Sequence, residues 1–126
     1  MKLNNLVRNF GVSAKEIARR QALFYHSIPG PGKITVKSTK SMNNIKDMSL
    51  AYSPGVAEPC LEIAQNPADL YKYTSKGNMV ALVSNGSSIL GMGNVGPLAA
   101  KPVMEGKAMM FNRFAGVETV DIGVDT

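Results

Sequence analysis

The chain has 126 residues, 44% of them hydrophobic and 18% charged, which is enough for one modest domain with its own core and excludes a disordered polyelectrolyte. Its single cysteine, Cys60, excludes an intramolecular disulfide or a cysteine metal cluster within one chain, and no apolar run reaches the roughly 18 residues of a membrane span, so a cytoplasmic protein is expected. The net charge of +5 is uneven, with eight basic residues against Glu16 alone in 1–40 and six against eight acidic ones in 41–126; without interleaved aromatics it predicts no nucleic-acid binding, while attraction of a small acidic molecule stays open.

Ser13-Ala14-Lys15-Glu16 has the form of a capping box, a hydroxyl at the N-cap and an acid three residues on. With Ile17, Ala18, Ala22 and Tyr25 at helical spacing it predicts a helix over about 14–26, stopped by Pro29-Gly30-Pro31-Gly32. Residues 1–28 thus read as a helical lead-in. Lys33 to Lys37 alternates and predicts a short strand. Residues 38–53 read as irregular, with at most one helical turn. Pro54 suits the first turn of a helix, and Val56, Cys60, Leu61, Ile63 and Ala64 would form its apolar face before Asn66-Pro67 ends it.

Lys76-Gly77-Asn78 marks a turn, and Met79 to Val83 is the uninterrupted apolar run of a strand buried on both faces. Asn85-Gly86 is a second turn, leading into Ser88-Ile89-Leu90. A helix over about 97–113 and a strand from Glu118 to Val124, with Val120, Ile122 and Val124 on one side, complete a strand–helix–strand order. The fold class expected is α/β: N-terminal helices followed by a small, mostly parallel sheet with helices packed on it. A sheet that stops at Asp125-Thr126 looks unfinished, so a fragment of a larger protein is expected.

Gly91-Met92-Gly93-Asn94-Val95-Gly96 matches the G-x-G-x-x-G pattern, and Asp121 lies where a ribose-binding acid would sit. On pattern alone this could be half of a nucleotide-binding unit. Its safer content is an anion site at a helix N-terminus, which would serve a pyrophosphate or a dicarboxylate equally, or else a tight turn with packing glycines. In the helix that follows, Ala100, Val103, Met104, Lys107, Ala108, Phe111 and Phe114 form one stripe, apolar except for Lys107. Lys101 and Glu105 make an opposite-charge pair on the other face. A lysine in a core stripe is either a base whose charged form burial disfavours, or a stem that covers the core while its ammonium reaches water.

Longer segments carry a family resemblance. Ala51-Tyr52-Ser53-Pro54-Gly55-Val56-Ala57-Glu58-Pro59-Cys60 resembles the N-terminal signature of bacterial malic enzymes. Lys72-Tyr73-Thr74, Gly77-Asn78, Val83-Ser84-Asn85-Gly86, the glycine loop, Lys101 to Lys107 and Phe114-Ala115-Gly116-Val117 resemble the rest of that domain, so the likeness spans roughly 28–126. The resemblance implies oxidation of malate with NADP or NAD and a divalent metal, Mg2+ or Mn2+, then decarboxylation to pyruvate. It implies Tyr52 as general acid and Lys107 as general base. It places Gly93 and Asn94 beside the substrate, turns Asp121 into an ordinary strand-end acid, and puts Ser88 where larger malic enzymes carry a carboxylate-binding arginine.

The same resemblance implies that residues 1–126 are the substrate-side domain alone. The NAD(P)-binding domain and the metal ligands, a Glu-Asp pair and a further Asp, would lie beyond residue 126, leaving this stretch inactive by itself. The expected partners are a small dicarboxylate and a second copy in a homodimer, with no membrane. Two other readings compete: a half-Rossmann nucleotide-binding unit built on Gly91 to Gly96, and a non-catalytic oligomerisation or binding module.

Overall fold

The structure, a computed structural model, describes residues 12–126. The part of the predicted lead-in that falls on residues 1–11 lies outside the described residues. The chain forms two compact units, Met1–Lys33 and Ile34–Thr126.

The first unit contributes helix α1, Ala14–Ser27. Its start is the one the capping box predicts: Ser13 Oγ accepts the Glu16 N–H at 3.1 Å, satisfying one of the orphan donors of the first turn. The Glu16 carboxylate is turned along the helix, where it takes the Arg20 Nε–H at 2.9 Å and approaches Arg19 at 3.6 Å. No residue of α1 is buried. Phe24 and Tyr25 are more than half exposed and, with Arg20, Gln21 and Ile28, line a shallow concavity along the helix.

In the second unit, the expected strand at Lys33–Lys37 does not form. The pattern is right for a strand, but among the described residues the one sheet is a pair elsewhere in the chain, and Val36 is left 70% exposed. The stretch expected to be irregular contains helix α2, Ile45–Ala51. Asn44 Oδ1 accepts the Asp47 N–H at 2.8 Å, while Asp47 Oδ2 accepts the Asn43 N–H at 3.0 Å, a reciprocal cap that closes the helix N-terminus. Helix α3, Ala57–Gln65, begins three residues later than Pro54 suggested. Pro59 is its first-turn proline, placed where a missing N–H costs no helical bond. Asn66 ends α3 and its Oδ1 accepts the Ala68 N–H at 3.3 Å, and a short helix α4, Leu70–Tyr73, follows.

Strand β1, Met79–Ser84, and strand β2, Glu118–Gly123, pair in parallel with Ala81 opposite Val120 and Leu82 opposite Asp121. Helix α5, Gly96–Ala115, connects them, so the mixed α/β class and the parallel sheet are as expected. Gly116 closes α5 with φ +66° and gives its N–H to Asn112 O at 3.1 Å. The buried core of this unit is Ile89, Ala100, Met104 and Ala108. Burying Ile89 and Met104 is worth about 2 kcal/mol each.

The side of β2 that meets α5 is the polar one. Thr119 is 7% exposed, the Asp121 side chain 3%, and a Cβ added to Gly123 would lie 3.2 Å from Pro97 Cβ. The apolar side with Val120, Ile122 and Val124 is the outer one, leaving Ile122 47% exposed. On β1 the same outer side holds Ala81 and Val83, and Val83 is 61% exposed. The both-face burial predicted for Met79–Val83 is therefore not realised: α5 lies on one face of the pair, and of that run Leu82 alone is half-buried.

Candidate active site

Tyr52 is the C-cap of α2, where its N–H donates to Met48 O at 2.9 Å and its carbonyl accepts the Val56 N–H at 2.7 Å. The loop after it folds back on the helix it leaves. Gly55 N–H reaches Ser49 O at 2.8 Å, and a Cβ on Gly55 would lie 2.7 Å from Ser49 O and 2.9 Å from Leu50 Cα. Only glycine permits that approach. The backbone of Tyr-Ser-Pro-Gly is thus pinned at both ends, while the Tyr52 side chain stands 72% exposed.

Lys107 is on α5 between Met104 and Ala108, both buried, but is itself exposed. This corrects the argument from the apolar stripe. The helix turns Ala100, Met104 and Ala108 inward, Lys107 and Phe111 flank that line, and Phe114 is 81% exposed. Burial does not single out Lys107 as a base. Among the described residues no hydrogen bond or ion pair engages Tyr52's hydroxyl or Lys107's ammonium or joins the two.

The glycine loop is a backbone crossing built for close approach. Gly86, at φ +71°, lies so near the next helix that a Cβ would meet Gly96 O at 2.1 Å. Its carbonyl accepts the Val95 N–H at 3.0 Å, and Gly93 O accepts the Ile89 N–H at 3.1 Å. Asn94 Oδ1 takes the Gly96 N–H at 3.1 Å, an Asx turn that positions the start of α5. Gly93 and Asn94 are exposed. Ser88 is exposed beside them, and Ser88-Ile89-Leu90 is bend and turn, not strand.

A dinucleotide fingerprint needs its first glycine at the end of a strand and its acid at the end of the next. Here residues 85–90 separate β1 from Gly91, and Asp121 is mid-strand, opposite Leu82. Asp121 is neither a ribose reader nor a strand-end acid. Its Oδ2 accepts from Lys101 Nζ at 2.7 Å, with the lysine side chain 51% exposed and the aspartate 3%. Sequence reasoning sets Lys101 beside Glu105 and misses this cross-link, although an acid in the middle of a strand packed under a helix is its available signal.

On the short helix α4, Lys72 Nζ lies 4.6 Å from the Tyr73 ring centre, and its interaction with Tyr73 holds the ammonium above the ordinary lysine range. Among the described residues no group of three or more His, Cys, Asp or Glu side chains could hold a metal ion.

The parallel strand–helix–strand unit with a glycine-rich crossing before its helix defines the chain as an α/β protein of a specific kind. Residues 31–126 match the family described as malic enzyme, N-terminal domain, and the chain belongs to that family. It is 57% identical over 110 residues to the NADP-dependent malic enzyme of Haemophilus influenzae, covering 87% of this chain and 15% of that protein. With the NAD-dependent malic enzyme of Rhizobium meliloti it shares 49% identity over 125 residues, covering 99% of this chain and 16% of the relative. The crystal structure of malic enzyme from Pyrococcus horikoshii superposes with a TM-score of 0.81 at 54% identity, over 86% of this chain and 26% of that one. The chain thus spans about a quarter or less of the proteins it resembles.

Proposed function

We propose that residues 1–126 are the substrate-side domain of an enzyme that oxidises malate with NADP or NAD and a divalent metal, then decarboxylates the product to pyruvate. The observation that supports this is the family match over 31–126, which takes in the Tyr52 segment, the glycine loop and the Lys107 segment together. Lys107, as the free amine, accepts the C2 hydroxyl proton as the hydride leaves C2. Tyr52 gives its phenolic proton to C3 once CO2 has left, so the enolate becomes pyruvate. Asn94 uses its Oδ1 on the Gly96 N–H, which leaves its amide N–H groups as donors to a substrate carboxylate, with the Gly93 backbone beside it. The nicotinamide site and the metal ligands belong to parts of the enzyme outside this stretch, and no step is derived through them.

The same reading makes the enzyme a cytoplasmic homodimer, supported by the apolar side chains of α1, with Phe24 64% and Tyr25 59% exposed, which sedimentation equilibrium would test. It also makes the 126-residue stretch inactive by itself: with malate, manganese and either nucleotide it should give no turnover, and appreciable turnover would contradict the domain assignment. The sharper test is of roles. In the native protein, Tyr52→Phe should keep hydride transfer but leave the decarboxylated product unprotonated at C3, slowing pyruvate formation by about 10²- to 10⁴-fold. Pyruvate formation at an unchanged rate would remove Tyr52 from the mechanism.

A further inference from the structure

Three contacts set how α5 lies along β2. Pro97 lies over Gly123 near the helix start, close enough that a Cβ on Gly123 would meet Pro97 Cβ at 3.2 Å. Lys101 binds Asp121 one turn further on, at 2.7 Å. Asn112 Nδ2–H reaches Glu118 Oε1 at 3.2 Å near the helix end. The order runs down the helix and back up the strand, so the two elements lie antiparallel with a fixed register. The first is a close approach that only the missing side chain of Gly123 allows. The third is a neutral donor on an exposed acid. The middle one joins a side chain 3% exposed to one 51% exposed, and it alone carries opposite charges. A slip of α5 by one residue would swing its side chains about 100° around the axis, and a buried carboxylate opposes that slip because it would lose its partner.

Lys107 stands six positions beyond Lys101 on the same helix, past the interior Pro102, and the buried Met104 and Ala108 on either side of it carry the packing across that proline. Its azimuth is therefore set by whatever fixes α5 on β2. We propose that the Lys101–Asp121 pair is a positioning device for the base: it locks the rotation and slide of α5 so that the Lys107 amine meets the malate hydroxyl. This rests on the reading of Lys107 as the base. Neither Lys101 nor Asp121 touches substrate in this assignment, and both act through the helix.

Asp121→Asn in the native protein is the primary test, since the half-exposed Lys101 ammonium it leaves behind stays hydrated and the fold survives. The kcat for malate oxidation should fall on the order of 10- to 100-fold, as a misplaced catalytic group costs, with the KM for malate within about twofold. Lys101→Arg, which keeps the charge, should retain most of kcat. The exchange Lys101→Asp with Asp121→Lys should recover part of what Lys101→Met loses. A drop in melting temperature with kcat per folded molecule unchanged would overturn the proposal and leave the pair a purely structural bond. Lys107→Met is assayed alongside: if that variant keeps its kcat, the assignment of the base has failed, whatever the pair variants do.

Discussion

The Thr119 hydroxyl sits on the helix-facing side of β2, 7% exposed, and its Oγ1 has no hydrogen-bond partner. An unmet buried hydroxyl costs on the order of 1–3 kcal/mol, whereas an apolar side chain of the same shape costs nothing comparable. Thr119→Val should therefore raise the melting temperature, by the equivalent of about 1 kcal/mol. A lower melting temperature would show that the hydroxyl is satisfied after all. Gly86 makes the opposite case. A side chain there meets the Gly96 carbonyl at 2.1 Å with φ at +71°, so Gly86→Ala should destabilise by about 3 kcal/mol or prevent folding, as a thermal melt would show. At this scale the sequence was read unevenly. Asn85-Gly86 announced a turn through its residue types, but nothing in the string says that the next helix crosses over that glycine. The carboxylate of Asp121 was visible as an acid in a strand, while its partner twenty residues earlier is a fact of tertiary packing.

A side-chain cap makes a helix start legible only where an apolar stripe follows it. Ser13 and Glu16 flag α1, and the cap forms. The equivalent signal at Asn44 and Asp47 went unweighted, because seven residues without an apolar stripe do not read as a helix. The structure shows why such a short helix holds: both ends of its reciprocal cap are made. Asn44→Ala should cost about 1 kcal/mol, seen as faster amide exchange over 45–51, and unchanged exchange would mean that the loop after Tyr52 holds α2 without its cap. The strand expected at 33–37, which does not form, has the reverse cause. Alternation makes a strand possible, but a strand needs a neighbour, and sequence periodicity carries no information about one. For α5 the stripe was correctly found and its centre misplaced. The buried line is Ala100, Met104 and Ala108, a narrow seam of small and flexible residues, so the bulky phenylalanines and Lys107 fall at its margin.

For the whole molecule, the order of elements gave the α/β class and the parallel pairing, and long ordered segments gave the family that the match over 31–126 establishes. What the string could not supply was which face of β2 the helix takes. Parallel sheets ordinarily bury both faces, and the outer side here, with Ala81, Val83, Val120 and Ile122, has the composition of a covered surface. Ile122→Lys in the native protein should consequently cost more than about 2 kcal/mol, while a solvent-facing position would tolerate it within about 0.5 kcal/mol. Chemical denaturation of the variant decides between the two.

The central claim is that this domain supplies the base for malate oxidation, and one kinetic comparison bears on it most directly. Steady-state reduction of NADP or NAD by malate is measured for the native protein and for Lys107→Met, with folding of both checked by circular dichroism. The account predicts a loss in kcat of about 10²- to 10⁴-fold, the range set by general-base removal, with a native-like spectrum. A Lys107→Met protein that is folded and turns over malate at the native rate would contradict it.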